Sequence, residues 1–309
     1  MLLKRVIRRI QRELAVPPEK LFPLRPALPV PQGISEKELF EFVTSVRVAD
    51  APEQEMRAYG THDFRRFVYT LGLVSRLEGK CLELGANPYF TTMLLERFTK
   101  LELSLANYFG PFPAGLHSQD VAYTNAPSGI RNTKTFSYQH FNVESDLFPY
   151  ADGEFDVVIF AEIIEHLLND PCKVLREIKR VLKPGGTLVV TTPNVARLEN
   201  VTRLISGENI YDPYSGYGPY GRHNREYNRH ELVTLIQFEG FDVTEMFTAD
   251  VHENRAAVYA KLSYLKDKLE FRKNDLGQYL FLKATNTSRV SEKVPSWLYR
   301  SLPPEKICQ

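Results

Sequence analysis

The spacing of hydrophobic and polar positions changes near residue 80 of this chain. Between residues 35 and 77, apolar residues recur every three or four positions, which predicts a helical region. From residue 80 onward, short apolar runs alternate with helical patterns, and this alternation predicts βαβ units around a mainly parallel sheet. We expect strands at 81–85, 101–106, 135–143, 155–160, 187–191, 240–243 and 276–284, and helices at 91–98, 172–182 and 231–238.

The first 34 residues differ in character from the rest. Apolar residues at helical spacing alternate with five basic residues up to Leu14, and six prolines follow between Pro17 and Pro31. This predicts a basic amphipathic helix and then a linker without regular helix or central strand. Such a helix can lie on an anionic membrane face or dock on the domain or on a partner subunit, and the pattern leaves both open. We expect four regions: 1–34 (helix and linker), 35–78 (helical), 79–285 (α/β domain) and 286–309 (tail).

Composition narrows the function classes. Lys plus Arg is 39 and Asp plus Glu is 38, so a formal charge of +1 argues against a general nucleic-acid binder. The three cysteines are widely spaced and odd in number, which indicates a reducing compartment rather than a disulfide framework. No apolar run approaches the roughly 18 residues that span a bilayer. We therefore expect a cytoplasmic protein, whose N-terminal helix is the candidate for peripheral contact with the inner membrane face.

A glycine turn after the first predicted strand is the candidate cofactor site. Open α/β sheets bind ligands at the carboxyl ends of their strands, where Gly85 lets a ligand approach bare backbone. The turn reads Gly85-Ala86-Asn87-Pro88-Tyr89, so the G-x-G-x-x-G fingerprint of dinucleotide binding is absent. A Walker lysine is absent too, which argues against nucleoside triphosphates.

Several segments in order make the chain resemble the class I S-adenosylmethionine-dependent methyltransferases, and this resemblance runs from about Lys80 to Ala284. The segments are Leu82-Glu83-Leu84-Gly85-Ala86, Asp152-Gly153-Glu154-Phe155-Asp156-Val157-Val158, Glu162-Ile163-Ile164-Glu165-His166-Leu167, Val174 to Gly186, Thr192-Pro193-Asn194 and Glu239-Gly240-Phe241.

The resemblance implies an α/β fold with a seven-stranded, Rossmann-like sheet whose last strand is reversed, and S-adenosylmethionine as cofactor. It implies that Glu83 positions the amino acid end of the cofactor, that Gly85 lets that end pass, and that Glu144 accepts from the adenine amino group. The expected cofactor-binding set is Glu83, Gly85, Ala86, Asn107, Glu144 and Glu162.

The chain departs from the family pattern at two places. Asn87 and Tyr89 stand where further glycines are usual, and Asn107 stands where an acidic residue usually grips the ribose hydroxyls. Neutral hydrogen bonds are about half as strong as charge-assisted ones. We therefore expect weaker cofactor binding or an altered pose.

Candidate catalytic groups follow the fourth strand. Glu162, Glu165 and His166 have the i, i+3, i+4 spacing that places side chains on one face of a helix, and His223 lies 57 positions after His166. We expect His166, Glu165 and His223 to be catalytic. Together with Glu162, they form a candidate site for Mg, Mn, Fe or Zn, as in related enzymes that methylate RNA ribose or catechol-like ubiquinone precursors. Alternatively, His166 acts as a base without metal.

A tyrosine-rich segment supplies the candidate acceptor site. Tyrosines recur between Ile210 and Tyr227, and their flat faces and hydroxyls suit sugar rings or other polyols. We expect an O-methyltransferase acting on a sugar or polyol hydroxyl in glycan or polysaccharide biosynthesis, since enzymes of surface-polysaccharide pathways resemble this arrangement. The alternatives are a quinol or aromatic acceptor, RNA ribose as a third choice, and a degenerate methyltransferase fold that serves as a scaffold.

Overall fold

The computed structural model describes residues 18–49, 51–125 and 129–308. A nine-stranded sheet with helices on both faces dominates these residues. The strands are β1 (Arg47–Val48), β2 (Glu78–Leu84), β3 (Lys100–Asn107), β4 (Gly115–Asn125), β5 (Ile130–His140), β6 (Phe155–Ala161), β7 (Leu182–Pro193), β8 (Phe241–Ala249) and β9 (Tyr279–Asn286), with a short pair β10 (Val294–Pro295) and β11 (Ile307–Cys308) beside them. The helices are α1 (Pro18–Leu21), α2 (Glu36–Ser45), α3 (Glu53–His62), α4 (Phe64–Val74), α5 (Phe90–Phe98), α6 (Pro171–Val181), α7 (Leu198–Ile205), α8 (Arg229–Phe238) and α9 (Lys266–Leu269).

The sheet order is β1-β4-β5-β3-β2-β6-β7-β9-β8. Strands β5, β3, β2, β6 and β7 run parallel, whereas β9 is antiparallel to both of its neighbours. The predicted α/β class and reversed last strand are therefore confirmed. The sheet has nine strands instead of the expected seven, because β1 and β4 extend it beyond β5.

Local sequence signals begin the main helices where the structure has them. Ser35 and Glu38 form a capping box at the start of α2, because each side chain accepts from the backbone N–H of the other. Asp170 caps α6, and Pro171 at its first position lacks the N–H that a helix start leaves unpaired. Helix α6 buries an apolar stripe against one face of the sheet, and α4 buries one against the other.

Three local expectations were wrong. The third strand ends at His140 rather than at residue 143, and its antiparallel partner β4 was missed because half-exposed polar residues weaken its alternation. Helix α7 lies between β7 and the tyrosine-rich segment, where no helix was expected. The turn after β6 is no α-helix, since Glu162 has a left-handed φ of 54° and only a three-residue 3₁₀ turn, Ile164–His166, follows.

The proline-rich segment forms a strap across the domain. Its side chains Phe22 and Leu24 are buried in a small cluster with Leu198, Leu262 and Leu276. Prolines keep most of this segment extended, although one helical turn, α1, begins at Pro18. The predicted amphipathic helix lies outside the described residues. Within the described part of the chain, no helix has the length and apolarity to cross a membrane.

Candidate active site

Two adjoining cavities form a cleft at the carboxyl ends of β2, β3 and β6. Their volumes are about 180 and 360 Å³, and residues of both the glycine turn and the turn after β6 line each of them. Gly85 has a φ of 69°, a conformation that favours glycine, and a Cβ there would come within 3.0 Å of Ile163 Cδ1. The residues shared by both cavities are Leu84, Gly85, Tyr108, Glu162, Ile163 and Tyr220.

The two departures from the family pattern contact each other. Asn107 is buried, and its Oδ1 accepts from the backbone N–H of Asn87 at 2.7 Å. Its Nδ2 donates to the Tyr89 hydroxyl at 3.1 Å, and that hydroxyl donates to Gln119 Oε1 at 2.9 Å. Asn87 Nδ2 also donates to Gln119 Oε1, at 3.1 Å. The side chain expected to contact the ribose therefore holds the glycine turn and also lines the smaller cavity, and its contact with the ribose stays a prediction.

An acidic and a basic side chain, Glu83 and Arg66, line the larger cavity. Burial raises the pKa of Glu83 to about 8, while a hydrogen bond from Thr92 opposes the shift. Arg66 of α4, which the sequence analysis did not single out, lines the same cavity and is 5% exposed. Its Nε donates to Asp63 Oδ1 at 2.9 Å and lies 3.9 Å from Glu162 Oε2. An arginine within the apolar stripe of a helix was the signal that could have revealed it.

Ala86 and Glu162, two residues of the expected cofactor-binding set, line the cleft. Ala86 lines the larger cavity, and Glu162 lines both. Glu162 Oε1 accepts from the Thr191 hydroxyl at 2.7 Å. This bond and Arg66 engage its carboxylate, and the grouped metal-ligand candidates do not include it, so both predicted roles of Glu162 stay predictions.

Glu144 lies behind the wall of the smaller cavity. Its two oxygens accept from the backbone N–H groups of residues 168, 169 and 170 at 2.7 to 3.2 Å. The Tyr220 hydroxyl donates to Glu144 Oε2 at 3.0 Å. Protein donors thus already engage both oxygens of the predicted adenine acceptor, so contact with the adenine amino group stays a prediction.

Glu165, His166 and His223 come together, and one ligand atom from each lies within 4.8 Å of the others. Glu165 is completely buried; its Oε2 accepts from the Thr192 hydroxyl at 2.9 Å. Its Oε1 has no hydrogen-bond partner among the described residues and lies 3.8 Å from His166 Nε2. Three of the four residues predicted as metal ligands are thus close together, and their role as ligands stays a prediction.

Hydrogen bonds and burial together influence the protonation of the His166 and His223 imidazoles. His166 Nδ1 lies 2.9 Å from the carbonyl oxygen of Arg222, which can only accept, so Nδ1 carries the proton and Nε2 keeps its lone pair. Burial lowers the pKa of His166. Burial also acts to lower the pKa of His223, but its hydrogen bond with Glu226 and the nearby Glu165 raise it overall. Burial raises the pKa of Glu165 to about 8.

The tyrosines between residues 210 and 227 divide into two groups. Tyr220 and Tyr227 point inward, and Tyr227 is 1% exposed. Tyr211, Tyr214 and Tyr217 are 84%, 92% and 94% exposed, which is unusual for large rings. Hydrogen bonds attach this segment to the turn after β6, because the backbone N–H groups of residues 224 and 225 donate to the carbonyl oxygen of Glu165.

Comparison with known proteins agrees with this geometry. Residues 115–190 match the model of a methyltransferase domain family. A probable S-adenosylmethionine-dependent methyltransferase of Mycolicibacterium smegmatis is 34% identical over 97 residues, which are 31% of this chain and 32% of that protein. The chain carries a class I methyltransferase domain. The superfamily inferred from the sequence is confirmed, and the cleft around Gly85 is the candidate cofactor site of this methyltransferase domain.

Other relatives match a similar share of the chain. A mitochondrial ubiquinone biosynthesis O-methyltransferase of Rattus norvegicus is 30% identical over 112 residues, 36% of this chain and 31% of that protein. The chain thus aligns with about a third of the length of these curated relatives. A solved S-adenosylmethionine-dependent methyltransferase from Archaeoglobus fulgidus aligns with 72% of this chain and 90% of that one, with a TM-score of 0.43 and 15% identity. The fold assignment depends on the strand order described above.

Proposed function

We propose that this methyltransferase domain transfers a methyl group from S-adenosylmethionine to a hydroxyl of a sugar or another polyol. The observation that carries the proposal is the position of the Glu165, His166 and His223 group beside the cofactor cleft. His166 lines the smaller cavity with Gly85, so a base and a bare-backbone turn face the same space. The match to a methyltransferase domain supports the transfer chemistry.

The chain's own residues fit the cofactor. When bound, S-adenosylmethionine supplies a methyl group on a sulfonium, which is a good leaving group. The carboxyl of Glu83 would accept from its ammonium, and the buried guanidinium of Arg66 would hold its carboxylate. Gly85 leaves room for the cofactor to pass close to the backbone of the glycine turn. The half-exposed ring of Tyr108 lines both cavities and offers the cofactor a flat face.

A neutral His166 can accept a proton at Nε2, which is the task of a general base. An aliphatic hydroxyl has a pKa near that of water, roughly 15.7, so imidazole alone is a weak match. Glu165 Oε1 is a buried carboxyl oxygen that lacks a hydrogen-bond partner among the described residues and lies 3.8 Å from His166 Nε2, and a bound cation would satisfy it and favour the ionised form. Glu165, His166 and His223 would hold a divalent metal, which would lower the pKa of the acceptor hydroxyl. Three protein ligands leave the open position that catalytic metal sites need.

The acceptor class follows from the surface beside this group. Tyr211, Tyr214 and Tyr217 expose their rings on the segment that carries His223, and flat rings with hydroxyls suit a saccharide. A glycan or polysaccharide intermediate is therefore our first choice of acceptor. The second candidate is a quinol, favoured by the similarity to ubiquinone biosynthesis O-methyltransferases. A membrane-attached acceptor would also suit the basic pattern of the N-terminal residues.

The first test is titration calorimetry of the full chain with S-adenosylmethionine and its demethylated product, followed by acceptor screening with saccharides and quinols. We expect saturable binding of both nucleosides and methylation of a saccharide hydroxyl. His166→Ala should lower kcat by about 10² to 10⁴-fold, the usual loss of a general base. His230→Ala, at an exposed position on α8, is the matched control and should retain turnover.

The metal is tested separately by chelation and by His223→Ala. Both should abolish most turnover while leaving nucleoside binding intact, and elemental analysis should find less metal in the variant. If strong chelation and His223→Ala both leave turnover unchanged, the metal proposal fails and His166 acts alone. If the wild-type chain binds neither nucleoside, the fold serves as a scaffold and the proposed activity is wrong.

A further inference from the structure

Tyr220 is shared by the two cavities that form the cofactor cleft. Its ring lines both cavities and meets Tyr108 edge-on, with ring centroids 5.8 Å apart. A ligand that fills both cavities would therefore contact Tyr220 as well as Gly85. The other residues that line both cavities lie at or just after the ends of β2, β3 and β6, whereas Tyr220 belongs to the segment 206–228.

The hydroxyl of Tyr220 joins that segment to the rigid part of the domain. It donates to Glu144 Oε2 at 3.0 Å and accepts from Asn142 Nδ2 at 3.2 Å. Glu144 is itself held by three backbone N–H groups, so it is a fixed anchor. A hydrogen bond to a carboxylate is stronger than one between neutral groups.

Tyr220 is also close along the chain to the catalytic group. His223 follows three positions later, and Arg222 between them accepts from His166 Nδ1 through its carbonyl oxygen. Asn224 donates to the carbonyl oxygens of His166 and Pro219 at 2.9 and 2.8 Å. Residues 219–225 are thus a short, cross-linked unit, and a shift of Tyr220 must move His223 with it.

We propose that Tyr220 is a clamp over the cofactor cleft: its ring slows the release of the bound cofactor, and its anchored segment sets His223 in the catalytic group. This inference depends on the proposed function, because it assumes that the cleft binds the nucleoside. Tyr220 is a positioning residue, since it acts on chemistry through His223.

The test compares Tyr220→Phe with Tyr264→Phe, which removes a hydroxyl at a 70% exposed position outside the cleft. Dissociation of S-adenosylhomocysteine is followed by surface plasmon resonance on the full chain. We expect Tyr220→Phe to raise the dissociation rate about tenfold, which corresponds to ~1.4 kcal/mol, and Tyr264→Phe to leave it unchanged. In nitrogen-15 spectra of the imidazoles, the nucleoside should sharpen the His223 signal in wild type and not in Tyr220→Phe.

A second readout covers dissociation that is too fast to resolve. Chymotrypsin should cleave after the exposed tyrosines 211–217 more slowly when the nucleoside is bound to wild type, and this protection should be lost in Tyr220→Phe. Equal dissociation rates together with equal protection in both proteins would overturn the clamp while leaving the proposed function standing. Absence of nucleoside binding by the wild type would overturn both.

Discussion

At the scale of single residues, the cleft holds acidic groups in an unusual state. Burial raises the pKa of Glu83 to about 8, and the hydrogen bond from Thr92 only partly offsets it. The carboxyl is therefore mostly protonated at neutral pH in the free protein. Because its pKa is raised on folding, its contribution to stability is present at low pH and is lost as pH rises from about 4.5 through 8. Under the proposed function, Glu83 would link cofactor binding to the release of protons.

We predict that the binding of S-adenosylhomocysteine releases protons from Glu83 near pH 7. The ammonium of the ligand favours the ionised carboxylate, so up to about one proton per site should leave. Calorimetry in buffers of different ionisation enthalpy measures this number. Glu83→Gln should abolish the release, whereas Glu102→Gln, an exposed control on β3, should retain it. Equal proton release by wild type and Glu83→Gln would contradict the assignment.

At the scale of secondary-structure elements, the turn after β2 and the end of β3 are one unit. Asn107, Asn87, Tyr89 and Gln119 form a hydrogen-bonded network that connects this turn to the β4 strand of the hairpin. Tyr89 also stacks on Phe136 of β5, with centroids 5.5 Å apart. The two departures from the family pattern are therefore coupled, since each residue satisfies a buried group of another.

Asn107→Asp, which restores the acidic residue usual in the family, should weaken the protein rather than improve it. The change removes the donor to the Tyr89 hydroxyl and buries a carboxylate without a cation, at a cost of about 1–3 kcal/mol in the free energy of unfolding. Denaturant titration measures this loss. Asn209→Asp in an exposed loop is the control and should change stability little. A variant that is as stable as wild type and binds S-adenosylhomocysteine more tightly would show that Asn107 is free to meet the ribose.

At the scale of the whole molecule, the proline-rich strap is part of the folded domain. The carbonyl oxygen of Pro26 accepts from both the Tyr69 hydroxyl and Arg65, at 2.7 and 2.8 Å. The carbonyl oxygen of Leu24 accepts from the backbone N–H of Asp250 at 2.6 Å. The strap therefore ties α4 to the end of β8, and its buried side chains add to the core.

Leu24→Ala should lower the free energy of unfolding by about 2–5 kcal/mol, because it leaves a cavity beneath the strap. Leu147→Ala, at a side chain that is 77% exposed, should change it by less than about 0.5 kcal/mol. Equilibrium denaturation of both variants measures the difference. If the two losses were equal, the strap would be a loose linker, as its composition alone suggested.

Local sequence determined most of the strands and helices and the resemblance to the methyltransferases. Buried strands such as β6, the caps of α2 and α6, and the glycine turn at Gly85 follow from short stretches whose side chains dictate their own conformation. The same local signals carried the methyltransferase resemblance. They also pointed to Glu165, His166 and His223 by residue type, although the expected helix at that turn did not form.

Tertiary structure decided which side chains share a space and which are already engaged. Arg66 lines the cleft from a helix, 19 positions before Gly85; Glu162 accepts from the Thr191 hydroxyl, and protein donors engage both oxygens of Glu144. Each of these outcomes depends on contacts between residues that are distant along the chain. Sequence spacing cannot supply them, because a carboxylate is recognised by its type but its partners are set by packing.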